Sequence, residues 1–136
     1  MSRSGYSDDY DYNQLMLYRN TVERAIKGKR GQAFLQELAK ALDDMPEKRL
    51  IAWELITKTG EVCAIGSVCK ARGLDVSGVD VEDADAVGDL VGIARSMAAE
   101  IEYENDEAGR SDETPEERWV RVRRWVQEKL VQPVTV

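Results

Sequence analysis

A mainly α-helical fold, a compact bundle of five to six helices, is what this sequence predicts, and three observations carry the prediction. Apolar residues recur at spacings of three and four along most of the chain, the period of a helix with one buried face. Glycine or proline punctuates those runs at intervals that suit short helices. The tetrad Thr114-Pro115-Glu116-Glu117 spells a helix N-terminus by itself. With 136 residues, 43% of them hydrophobic, the chain can bury one ordinary core and is too short for several.

Residues 1–11, MSRSGYSDDYD, have no repeating apolar face and read as a flexible N-terminal arm. The single helical domain is expected over 12–131, with 132–136 as a C-terminal tail. A first helix fits 12–27, where Leu15, Tyr18, Val22, Ala25 and Ile26 share a face and Gly28 ends the run. The wet turn Lys27-Gly28-Lys29-Arg30-Gly31 then leads to a second helix over 31–44 with Phe34, Leu35, Leu38, Ala39 and Leu42 inward. That helix stops before Pro46, because the residue preceding proline disfavours the α conformation.

Residues 50–56 form an apolar run that fits strand or helix equally. The turn Thr57-Lys58-Thr59-Gly60 after it admits a small β-hairpin near residues 50–63. A short helix over 63–72 should be capped by Gly73. Asp80 is a candidate N-cap for the next helix, whose first turn would hold Glu82, Asp83 and Asp85 against the positive end of the helix dipole. Gly88 and Gly92 predict a kink or a break. A strongly periodic helix over 93–104 and a last one over 115–131 complete the bundle, the last with Trp119, Val122, Val126 and Leu130 inward, Arg121, Arg124 and Glu128 outward.

Composition narrows the chemistry. There is no histidine, so the commonest general acid/base, the usual helper of a serine or cysteine nucleophile, and most zinc sites are missing. Cys63 and Cys69 do not have CxxC spacing and read as small buried hydrophobes rather than a redox pair. No apolar run approaches the length of a membrane span, and residues 1–13 are polar and acidic rather than an export signal, so a cytosolic protein is expected. No enzyme, cofactor or metal is predicted; the carboxylate clusters do not match a calcium loop.

The net charge of −7 is segregated. From Asp75 to Glu117 the chain carries a long series of carboxylates opposed only by Arg95 and Arg110. Within it, Asp80, Glu82, Asp83, Asp85, Glu102, Glu104, Asp106 and Glu107 are the candidate partner-binding residues, on the reasoning that rows of carboxylates complement a basic, nucleic-acid-binding surface on another protein. Trp125, among Arg121, Arg123 and Arg124, is a candidate anchor for a partner or a second copy, since aromatic and arginine side chains dominate interfaces. Arg24, Lys27, Lys29 and Arg30 form the alternative site, a basic segment suited to phosphates. A pI near 4.7 opposes direct nucleic-acid binding at long range.

The blocks GKRGQAFL (28–35), MPEKRLIA (45–52), GEVCAIG (60–66), KARG (70–73) and YENDE (103–107) resemble small acidic proteins of unknown function encoded by phages and prophages of proteobacteria. The resemblance implies a protein acting in the cytoplasm of a bacterial host by binding a host protein, including those of defence systems of the CRISPR type. The residues themselves leave open a nucleic-acid-binding or regulatory role through the basic segment.

Overall fold

A computed structural model describes residues 2–131; the tail assigned to 132–136 lies outside the described residues. The chain is mainly α, with helices α1 (Tyr12–Lys27), α2 (Lys29–Asp44), α3 (Ala64–Arg72), α4 (Ala84–Val91), α5 (Arg95–Asp106) and α6 (Pro115–Lys129). The hinge of the packing is α5, which touches α1, α3, α4 and α6, while α2 packs on α1, α3 and α6. Between them lie Leu35, Leu38, Leu42, Leu50, Ile65, Val68, Ile101, Val122 and Val126, all fully buried. Each such side chain contributes roughly 1.5–3 kcal/mol of apolar burial.

The helix ends follow local chemistry. Asp11 caps α1 through a reciprocal pair of hydrogen bonds with Gln14, and Thr114 does the same for α6 with Glu117. Gly73 and Gly92 close α3 and α4 at φ of 71° and 83°, the left-handed conformation that glycine reaches without steric cost. The break at Gly92 yields two helices, α4 and α5. The N-cap of α4 is Asp83 rather than Asp80, because its carboxylate accepts from the amides of both Asp85 and Ala86. Asp80 instead accepts from the Glu82 amide in the turn before it.

Two glycines permit helix contacts that no larger residue would allow. A Cβ on Gly31 would lie 2.0 Å from the Ala25 carbonyl oxygen, and one on Gly66 would lie 1.9 Å from that of Leu55. Both obstacles are backbone, which cannot rotate away. Gly66→Ala is therefore expected to destabilise by at least the roughly 1–3 kcal/mol of overpacking. A thermal melt unchanged from wild type would contradict this close approach of α3 to the Leu55 segment.

The run 50–56 is neither helix nor strand. The hairpin reduces to one antiparallel bridge between Ile56 and Val62, closed by the Thr57–Gly60 turn with Gly60 at φ 86°. Ladder growth stops because Ile51, Leu55 and Thr57 spend their backbone bonds on Val62, Cys63 and Glu61 in an irregular coil. Among the described residues the arm carries no helix, consistent with its composition, yet it lies against the body: Arg3 is buried, and Tyr6 packs edge-on against Tyr18 and Tyr103 with centroids 5.2 and 5.1 Å away.

Candidate interaction surfaces and a buried ionic centre

The acidic middle divides into an exposed half and a buried half. Asp75, Asp80, Glu82, Asp83, Asp85 and Asp89 are all exposed, on the loop before α4 and on α4 itself. Three successive side-chain-to-backbone turns orient them: Asp75 accepts from Ser77 at 2.9 Å, Asp80 from Glu82 at 3.0 Å and Asp83 from Asp85 at 3.0 Å. The hydrogen bonds from Ser77 hold the Asp75 carboxyl below its usual value. Arg95 reaches Asp85 at 3.3 Å, a solvated contact that neutralises little. Glu82, Asp83 and Asp85 line, together with Tyr10, Tyr18 and Arg95, a cleft of about 590 Å³ between α4, α1, α5 and the arm.

On α5 the expectation of a surface row fails. Glu102 is buried and the Asp106 side chain is fully enclosed, while Glu104 is half-buried. Glu107 remains exposed and accepts from the Ser2 hydroxyl at 2.9 Å. The reason is position: α5 has neighbours on four sides, so residues 102 and 106, one turn apart, turn inward. The proposed anchor Trp125 is also corrected, since it is only 9% exposed and belongs to the core with Val122 and Val126. The apolar face of α6 is wider than the 119–122–126–130 stripe, and Trp125 completes it.

What α5 builds instead is an ionic centre. Arg3 makes a two-pronged contact with Asp106, Nε to Oδ2 and Nη2 to Oδ1, both at 2.6 Å, and its Nη1 meets the Glu102 carboxylate. Asp106 Oδ1 also accepts from the Trp53 amide at 3.1 Å and from Asn105 Nδ2 at 2.9 Å. Asn105, fully buried, donates to the Ile51 carbonyl at 2.9 Å and accepts from the Ala64 amide at 2.9 Å. It thus ties α5 to the start of α3 and to the 51–53 segment. Cys63 completes the wall, its Sγ accepting from the Gly66 amide at 3.4 Å.

The electrostatics follow from enclosure. Burial pushes the Glu102 carboxyl up to about 8, Arg3 draws it back, and Asp106 pushes it up further. Burial acts to lower the Arg3 guanidinium, but the hydrogen bonds to Asp106 and the surrounding negative charge leave it raised. The Cys63 thiol is driven to about 12, first by burial and then by Glu102, and burial takes Cys69 to about 11. Both are protonated, poor nucleophiles at neutral pH. Trp53, whose amide donates to Asp106, is held at φ 72°, a region costly for a bulky residue, and is 44% exposed.

The basic segment is surface. Arg24, Lys27, Lys29 and Arg30 are exposed, and α2 begins at Lys29, so two cations occupy its first turn under Gly28, which offers no side-chain cap. Cations there oppose the helix dipole. By contrast two arginines of α6 are paired: Arg121 holds Glu113 at 2.7 Å and caps the α5 carbonyl of Glu104 at 2.5 Å, and Arg123 holds Asp43 at 2.8 Å. Sequence reading missed Arg3 and Asn105, polar residues whose roles depend on distant partners, and Glu113, which pairs with Arg118 and Arg121 of the next helix.

Among the described residues, no three metal-ligating side chains converge. No helix of these residues is long and apolar enough to cross a membrane. No family model, curated protein or solved structure matches the chain.

Proposed function

We propose that this is a non-enzymatic phage-type accessory protein that binds a host protein and inhibits it through the acidic face of the 75–83 loop and α4. The observation that carries this reading is the cleft that Glu82, Asp83 and Asp85 line together with Tyr10 and Tyr18. Carboxylates beside aromatic rings suit an arginine or lysine side chain, the head taking the charge and the stem or guanidinium plane lying on the ring. A basic groove that ordinarily holds nucleic acid presents such side chains in rows. A CRISPR-type defence complex is the partner class this favours, in the cytoplasm of a bacterial host.

The test neutralises the face without disturbing the fold. Asp80, Glu82, Asp85 and Asp89 are exposed, so changing the four to Asn or Gln leaves the core intact, whereas Asp83 is spared as a cap. Capture of the partner from infected or lysogenic lysate is expected to fall at least tenfold, and wild-type capture to weaken as salt rises. Undiminished capture by the quadruple variant would remove the acidic face from the mechanism.

A second reading rests on the cations at the start of α2, an uncapped N-terminus that suits phosphate. It makes the protein a nucleic-acid-binding or regulatory factor acting through Arg24, Lys27, Lys29 and Arg30. An electrophoretic shift of DNA or RNA at low salt, abolished by Lys29→Ala with Arg30→Ala, would favour it.

A further inference from the structure

We propose that Glu102, Asp106, Asn105 and Cys63 form an arginine-binding socket, that Arg3 occupies it as an intramolecular ligand, and that an arginine of the basic partner takes its place. The partner's role rests on the reading above; the socket stands without it.

The socket is built without the arm. Its walls are α5, the Cys63 cap of α3 and the 51–53 segment, locked together by Asn105 through the Ile51 carbonyl and the Ala64 amide. Its chemistry selects a planar, multiply donating cation: Asp106 takes two parallel N–H donors 2.6 Å away, and Glu102 takes a third from the other end of the guanidinium. An ammonium cannot span both carboxyl groups in this way.

Beyond Arg3 the arm is held only at half-buried or exposed sites: Tyr6 on Tyr18 and Tyr103, Tyr10 on Tyr18, and Ser2 on Glu107. Residues 7–11 are exposed, and Ser4, Gly5 and Tyr6 are only part-buried. Their hydrogen bonds are mostly local, Tyr6 to Ser4 and Asp9 to Ser7 among them. Arg3, Ser4 and Gly5 also line the cleft that carries Glu82, Asp83 and Asp85. A partner arginine drawn in by those exposed carboxylates thus arrives beside the arm at Arg3, the residue that fills the socket. The arm competes with it in cis, at an effective concentration of order millimolar for so short a tether.

Chemical rescue tests the socket in the full-length chain. Arg3→Ala empties it, and methylguanidinium is then expected to raise the melting temperature by roughly 5 °C at about ten times its dissociation constant. Wild type, its socket filled, should respond little at the same concentration, as should Arg3→Ala given methylammonium. Adding Asp106→Asn should abolish the rescue. If Arg3→Ala refolds poorly, recovery of native circular dichroism on refolding with each cation replaces the melt. An equal response of wild type and Arg3→Ala, or of the two cations, would overturn the socket. Rescue accompanied by unchanged partner capture in the acidic-face variant would keep the socket and remove the partner.

Discussion

Asn105→Ala is expected to lower stability by roughly 3–5 kcal/mol, because the side chain serves three buried groups at once and each orphaned partner costs about 1–3 kcal/mol. Truncation strands the Ala64 amide and the Ile51 carbonyl and strips one donor from Asp106. The site has no exposure through which water could replace them without opening the junction of α3 and α5. For a domain of this size the loss corresponds to a melting temperature lower by roughly 10–15 °C. Urea unfolding should show a lower midpoint at an unchanged slope.

Asn105→Asp sharpens the same expectation. It keeps an acceptor for the Ala64 amide but loses both donors and places a third carboxyl beside Glu102 and Asp106. Its cost should therefore grow with pH, unlike that of the alanine variant. A loss below about 1 kcal/mol for Asn105→Ala would mean that these hydrogen bonds do not hold the junction.

The regular part of this fold was legible because its signals are local. Thr114 and Glu117 sit three residues apart, and Gly73 and Gly92 end runs whose period is visible in a dozen residues. Charge placement was legible only where burial is decided locally. Asp75 to Asp89 lie on a turn-rich loop and a short helix with one apolar face, so their exposure follows from pattern. Glu102 and Asp106 read as the same kind of surface carboxylate, since a helix that will be enclosed on several sides is indistinguishable in charge pattern from a solvated one until its neighbours are known.

The missing clue was about a hundred residues away, in an arm whose single buried side chain among the described residues is Arg3. Even so, a trace exists in the sequence: Arg3 is the sole cation of its first eighteen residues, set among Ser, Asp and Tyr. Trp125 failed for a related reason. Three arginines beside it suggested an interface rim, but Arg121 and Arg123 are committed to Glu113 and Asp43, which leaves the ring to the core.

The buried carboxylate makes a second large effect measurable, and its sign follows from linkage. Glu102 titrates near 8 in the folded chain, against an ordinary value of 4.5 when unfolded, with burial as the main cause. Between those values the folded state holds a proton that the unfolded state has released. The stability associated with this proton is therefore complete below about 4.5, declines as pH rises and is gone above about 8, with a slope near 1.4 kcal/mol per pH unit. Glu102→Gln imitates the protonated acid at every pH and leaves Arg3 paired with Asp106. The variant should match wild type near pH 4 to 5 and become progressively more stable than it toward pH 8. Glu37 and Asp43, held low by hydrogen bonds from Arg72 and Arg123, contribute the opposite slope to both proteins and cancel in the difference. Denaturant unfolding across this range, with exposed Glu82→Gln as the control that should run parallel to wild type, measures the difference directly. Parallel curves for Glu102→Gln and wild type would show that Glu102 ionises at its ordinary pH, the attraction of Arg3 then offsetting the burial.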